Sequence, residues 1–218
     1  GGEGGFGDLK FKSSTNRAPI KTTEGKIGLI KNLKLELRLL ADIGLLGKPN
    51  AGKSSLVNAV SSAKPKIADY EFTTLYPSLG VVDYSSLSSF VISDIPGLIS
   101  GASRGVGLGI QFLKHLSRTR LILAVVDIFD KDYEEVVKEV EELIYEVREY
   151  NKDLESKIVW LVLNKKDLID AEELSKLVKK LELNYEGKLR VSCISAAQRK
   201  GTKELVRDIG RYLETISG

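Results

Sequence analysis

The 218 residues are 42% hydrophobic, enough to bury one good core and not two. No run of 18 uncharged apolar residues occurs, so no membrane-crossing helix is expected, and the single cysteine, Cys193, excludes an internal disulfide or a cysteine metal cluster. The net charge is only +3, but residues 1–38 hold eight Lys/Arg against four Asp/Glu, so the basic excess belongs to the leading segment. Such a segment is solubilising or meets an acidic surface such as nucleic acid. The absence of Met and the opening Gly1-Gly2-Glu3-Gly4-Gly5 lead us to expect a piece of a longer protein. Cysteine usage points to a reducing cytoplasm.

In chain order, residues 1–38 show no long apolar period and read as loop-like. Leu33, Leu35, Leu37 and Leu39 alternate with charged residues, a strand period leading toward a domain boundary near residue 38. Leu39, Leu40, Ala41, Ile43, Leu45 and Leu46 predict a buried strand. Gly47 to Ser54 is a glycine loop, and Leu56, Val57 and Val60 give helical spacing after it. A polar connection runs from Ser61 to Pro77. Leu79–Tyr84 and Ser89–Ser93 predict a hairpin, and the glycines from Gly101 to Gly109 a loop before a helix through Phe112, Leu113 and Leu116. Leu121–Val126 is a buried strand. Tyr133–Tyr150 is an amphipathic helix with Val136, Val137, Val140, Leu143, Ile144 and Val147 on one stripe. Ile158–Leu163 and Leu189–Ile194 are further strands. Asp170 and Glu173 predict a capping box opening the helix between them, and the last helix carries Leu205, Val206, Ile209, Leu213 and Ile216. Strands alternating with helices predict a mostly parallel six-stranded sheet with helices on both faces, a three-layer α/β/α fold whose ligands bind beyond the strands' carboxyl ends.

The chemistry gathers at those ends. Gly47-Lys48-Pro49-Asn50-Ala51-Gly52-Lys53-Ser54 fits G-x-x-x-x-G-K-[ST], the phosphate-cradling loop of nucleoside triphosphatases. Its glycines let the backbone approach phosphate, and helix-start amides favour an anion. Lys53 would reach the β- and γ-phosphates, and Ser54 would hold Mg²⁺. Asp94-Ile95-Pro96-Gly97 supplies a carboxylate acting on the metal through water and a Gly97 amide for the γ-phosphate. Asn164-Lys165-Lys166-Asp167 selects the base, because a carboxylate accepts from guanine N1–H and N2–H₂ and would be left unpaired by adenine. Ser195-Ala196-Ala197 would offer an amide to guanine O6. A threonine of Phe72-Thr73-Thr74 would complete the Mg²⁺ shell; the residues alone do not say which. Lys48 and Lys166 read as solvated, His115 as a helix-surface histidine, and Cys193 and Trp160 as core. No residue is a clear general base.

These motifs, with Lys64-Pro65-Lys66-Ile67-Ala68-Asp69-Tyr70, Leu98-Ile99, Gly101-Ala102-Ser103, Gly105-x-Gly107-Leu108-Gly109 and Phe112-Leu113, resemble the Obg family of GTPases. The leader Phe11-Lys12-Ser13-Ser14-Thr15-Asn16-Arg17-Ala18-Pro19 is similar to the end of that family's glycine-rich domain. The resemblance implies a remnant of that domain at 1–38 and an Obg-type GTPase domain at 39–218. It makes Thr74 the Mg²⁺ threonine, Leu98 a hydrophobic replacement for a water-positioning glutamine, and Asn50 a position that helps hold K⁺. The expected catalytic set is Lys53, Asn50, Thr74 and Gly97, with Ser54, Thr74 and Asp94 on the metal. The GTP-binding set adds Gly47, Lys48, Pro49, Ala51, Gly52, Ser55, Phe72, Thr73, Leu75, Tyr76, Ile95, Pro96, Asn164, Lys165, Lys166, Asp167, Ser195, Ala196 and Ala197. The implied cofactors are Mg²⁺ and, optionally, K⁺. The implied ligands are GTP and GDP, and the implied partner of the full-length protein is the large ribosomal subunit; a cytoplasmic monomer is expected. The alternatives are a ribosomal RNA-binding assembly module in which nucleotide only tunes affinity, and an adenine-nucleotide enzyme.

Overall fold

The computed structural model describes residues 1–33, 41–67, 77–94, 113 and 115–216. The chain divides into two units, Gly1–Leu37 and Arg38–Gly218. Leu35, Leu37 and Leu39 of the predicted alternation lie outside the described residues, as do Leu40 and the glycines from Gly101 to Gly109.

In the first unit, one 3-10 turn spans Asp8–Phe11. Two extended stretches lie side by side: Lys26 N donates to Glu3 O at 2.8 Å and Thr23 N to Phe6 O at 3.0 Å. Phe6 N donates in turn to the Thr23 hydroxyl at 2.8 Å. A Cβ on Gly5 would stand 1.8 Å from the Thr23 carbonyl oxygen, so only glycine permits this approach.

The second unit is built on one sheet. Its strands are β1 (Ala41–Leu46), β2 (Lys66–Ile67), β3 (Ser78–Asp83), β4 (Ser89–Asp94), β5 (Thr119–Asp127), β6 (Ile158–Asn164) and β7 (Arg190–Cys193). Their order is β2-β3-β4-β1-β5-β6-β7. The six predicted strands are present, and the two-residue β2 adds an antiparallel edge beside β3 that no periodicity announced. β3 and β4 form the predicted antiparallel hairpin, while β4, β1, β5, β6 and β7 run parallel to one another.

Period-two alternation divides the apolar residues between two cores. On β5, Leu121, Leu123 and Val125 face one core and Ile122, Ala124 and Val126 the other. Because both faces are covered, the strand reads as a continuous apolar run. The helices with described bounds are α1 (Lys53–Val60), α2 (Tyr133–Tyr150), α3 (Lys152–Glu155), α4 (Ala171–Asn184) and α5 (Thr202–Thr215). α2 and α4 cover one face through Val136, Val140, Leu143, Leu177 and Leu181. α1 and α5 cover the other through Leu56, Val57, Leu205, Ile209 and Leu213.

Caps depart from the sequence reading in one place. Asp170 caps α4, but by accepting from Glu172 N, and the expected box with Glu173 does not form. The reciprocal box sits at α2, where Asp132 accepts from Glu135 N and Glu135 accepts from Asp132 N. Ile216, placed on the last helix's stripe by its spacing, falls beyond α5 and is exposed.

Leu123 is fully buried on the central strand β5, whereas Val81 on β3 is half exposed. Leu123→Ala should cost about 2–5 kcal/mol in urea unfolding, and Val81→Ala less than about 1 kcal/mol. Equal costs would contradict a core centred on β5.

Candidate functional site

Strand register brings the polar motifs to one edge of the sheet. Leu45 pairs with Asp94, Asp127 with Asn164, and Leu163 with Cys193, so the carboxyl ends of β1, β4, β5, β6 and β7 line up. The strand order reverses at β1, where a crevice opens in parallel sheets. The Gly47–Ser54 loop leaves β1 there and runs into α1.

Asn50 and Gly52 turn the loop with φ of 64° and 91°. Gly52 is constrained twice, because a Cβ would also stand 2.1 Å from Asn164 Nδ2. It caps α1 with no side-chain hydrogen bond, leaving the first amides for an anion. Lys53 Nζ donates to Gly47 O at 2.8 Å and Lys48 O at 3.0 Å, the loop's own carbonyls. Burial pushes the Lys53 ammonium below its ordinary pKa, and the Asp94 carboxylate opposes that shift. An arriving phosphate would add to the opposing effect.

The Ser54 hydroxyl donates to Asp94 Oδ2. Asp94 is buried, and its Oδ1 has no hydrogen-bond partner among the described residues. No group of three or more His, Cys, Asp or Glu side chains among the described residues could hold a metal by itself. One hydroxyl and one under-satisfied carboxylate do fit Mg²⁺, which keeps several waters and takes phosphate oxygens as ligands.

At the other end, the buried Asn164 amide joins two loops. Its Nδ2 donates to Ala51 O at 2.9 Å, and its Oδ1 accepts from Ala196 N at 3.0 Å. Lys165, at φ 68°, pairs its ammonium with the Asp127 carboxylate. The Asp167 carboxylate accepts from Gln198 Nε2 at 3.1 Å. The Ser195 hydroxyl above all, with smaller help from the charge of Lys200 and from Gln198, holds the Asp167 carboxyl below its ordinary pKa.

A cavity of about 370 Å³ is lined by Asn50, Gly52, Lys53, Ser54, Ser55, Asn164, Lys165, Asp167, Leu168, Ser195, Ala196 and Ala197. A larger cavity of about 700 Å³, beside α2 and the amino end of β6, holds none of the motif residues. The smaller one carries the chemistry. Phe72, Thr73, Thr74, Leu75, Tyr76, Ile95, Pro96, Gly97 and Leu98 lie outside the described residues.

Three sequence readings change. Lys48 is not a free solvated side chain: its ammonium pairs with Glu142 on α2 at 2.8 Å, away from the cavity. Lys166 likewise donates to Cys193 O at 3.1 Å. His115 is buried, not on a helix surface, and burial with nearby Arg118 lowers its pKa. Trp160 is buried as expected, and Cys193 packs partly buried against the core, where desolvation pushes its thiol up to about 11. Pro49 is exposed and Ala51 buried, so neither side chain lines the cavity.

The motifs missed Leu168, which lines the cavity and is half exposed, and the partners Gln198 and Asp127. Asp127 had a signal, since it is the polar residue closing an apolar strand. Leu168 and Gln198 had none beyond adjacency.

A family model described as 50S ribosome-binding GTPase matches residues 42–165, more than half of the chain. The chain belongs to that GTPase family. Solved structures share its fold. The GTPase matches an Era variant from Aquifex aeolicus bound to GDP·AlF4⁻ at 23% identity and TM-score 0.59, over 79% of this chain and 56% of that one. It matches the G domain of the T. maritima FeoB iron transporter at 22% identity and TM-score 0.54, over 78% and 97%. It matches nucleolar GTP-binding protein 1 of Plasmodium falciparum at 25% identity and TM-score 0.53, over 80% and 86%.

Asn164→Ala would strand a buried carbonyl at Ala51 and an amide at Ala196. In the nucleotide-free GTPase it should cost about 2–6 kcal/mol by urea unfolding, since each of the two stranded groups costs about 1–3 kcal/mol. A cost under about 0.5 kcal/mol would show that the two loops do not depend on this bridge.

Proposed function

We propose that the chain is an Obg-type GTP-hydrolysing switch domain, converting GTP and water to GDP and phosphate. The observation that carries this is one cavity lined at once by Lys53 and Ser54 of the phosphate loop and by Asp167 and Ala197 of the base-reading turns. Lys53 and the α1 amides hold the β- and γ-phosphates, and Asp167 with the Ser195–Ala197 turn holds guanine. Thr74 and Gly97 act at the γ-phosphate, as the resemblance to Obg implies. Mg²⁺, held by Ser54, Thr74 and Asp94, would neutralise charge developing on the phosphate oxygens. With Leu98 where many GTPases carry glutamine, unaided hydrolysis is slow, and K⁺ near Asn50 stands in for an arginine finger. The exposed Asn50 side chain on the cavity wall supports that placement. The full-length protein works on the large ribosomal subunit in the cytoplasm, as the family's description and the Obg resemblance favour.

A basic leading segment favours a second reading, a ribosomal RNA-binding module in which nucleotide only tunes affinity. Phosphate release measured in K⁺ and in Na⁺ separates the two. Turnover faster in K⁺ is expected; none in either salt would leave the binding module.

Calorimetry with GDP and ADP should show a preference for GDP of at least about 100-fold, since adenine would strand the Asp167 carboxylate. Asp167→Asn should move that preference toward xanthine nucleotides, and an unchanged guanine preference would remove Asp167 from the role. Because the Asp167 pKa is lowered, its carboxylate stays ionised as pH falls, so the GDP preference should persist to about pH 5.

A further inference from the structure

Glu139 is an unexplained charge. It lies on α2 between Val136 and Val140, the buried face of that helix, and is itself 4% exposed. A buried carboxylate is costly, and an apolar residue of similar volume there would often be neutral or stabilising. Packing therefore does not account for it.

Its contacts do. Glu139 Oε2 lies 2.7 Å from Lys131 Nζ and 4.0 Å from Lys48 Nζ, while Oε1 has no partner among the described residues. Lys48 belongs to the phosphate loop, and its backbone carbonyl accepts the Lys53 ammonium at 3.0 Å. A stronger pair with Glu142, 2.8 Å away, draws the Lys48 side chain further onto α2. On the other side, Lys131 Nζ donates to the Asp127 backbone oxygen at 2.8 Å, and the Asp127 carboxylate holds the Lys165 ammonium of the base-reading turn. Alternating charges thus run from the phosphate loop, through one buried carboxylate, to Lys165, two residues before Asp167.

We propose that Glu139 is a positioning residue that couples the phosphate loop to the base-reading turn, so that guanine selectivity depends on an ion pair on the outer side of the phosphate loop. The inference rests on the guanine-nucleotide reading above. It has an unusual consequence: a substitution at Lys48, remote from the base in the motif's logic, changes base selectivity.

The test is the ratio of dissociation constants for inosine diphosphate and GDP, measured by calorimetry on the full chain. Inosine lacks only the 2-amino group that Asp167 would accept from. The ratio does not depend on the fraction of folded molecules, so a merely structural role for Glu139 would lower stability and leave it unmoved. Glu139→Gln and Lys48→Met should each reduce the ratio about fivefold, and the double variant should reduce it no further, as members of one network behave. Lys48 is partly exposed, so Lys48→Met preserves the test should Glu139→Gln fail to fold. Ratios unchanged in both single variants would overturn the coupling, and so would a double variant equal to the product of the two. A wild-type ratio of one would overturn the guanine reading itself, and the inference with it.

Discussion

One side-chain amide holds the nucleotide site together. Asn164 has a single donor group and a single acceptor oxygen facing inward, and each is spent on a different loop: the donor on the Ala51 carbonyl, the acceptor on the Ala196 amide. Backbone groups buried without a partner are expensive, so the Gly47–Ser54 loop and the Ser195–Ala197 turn can only sit where this amide satisfies both. The same residue closes β6 and pairs in register with Asp127 at the end of β5. Sheet geometry therefore sets the amide, and the amide sets the loops. Gly52 completes the constraint from the phosphate side, since the space beside Asn164 Nδ2 has no room for a Cβ.

Electrostatics then divides the cavity into two ends of opposite need. Around Lys53, burial works against the ammonium, and the cation is held by carbonyl dipoles and the field of Asp94. Such a cation gains most from a nearby anion, which is the condition a triphosphate satisfies. Around Asp167 the sign is reversed: the residue is partly exposed, its carboxylate favoured in the charged form by the Ser195 hydroxyl and suited to a neutral donor pair. Asp94 belongs to the first end, with an oxygen that the described protein groups leave unmatched. A ligand with phosphate and metal at one end and an amide-like base edge at the other fits this polarity.

Periodicity makes most of the second unit legible in its sequence. The helix over Tyr133–Tyr150 and the hairpin of β3 and β4 follow from spacings of 3.6 and 2, because tertiary packing uses the faces those spacings define. What escaped was short or set from outside. The Lys66–Ile67 strand has two residues, too few to show a period, and exists because the edge of β3 offers it partners. His115 reads as polar surface by type, yet it is buried next to Leu116, which belongs to the core. The Asp170 box failed although both residue types were right, since a cap depends on which amide the carboxylate meets.

The phosphate loop shows where motif reading reaches its limit. A motif names residue types at positions, but each residue carries a backbone and a side chain that can serve different elements. Lys48 uses its carbonyl for Lys53 and its ammonium for Glu142, and Ala51 enters through its carbonyl alone. Lys165 turns its charge to Asp127 while its left-handed backbone turns the chain between Asn164 and Asp167. Lys48 and Ala51 themselves do not line the cavity, and Lys165 lines it with its charge already paired to Asp127. A consensus match therefore names residues without saying which of their atoms serve the cavity and which serve neighbouring elements. The second layer, Asp127, Glu139 and Glu142, becomes visible only when those side chains are followed outward from the loop.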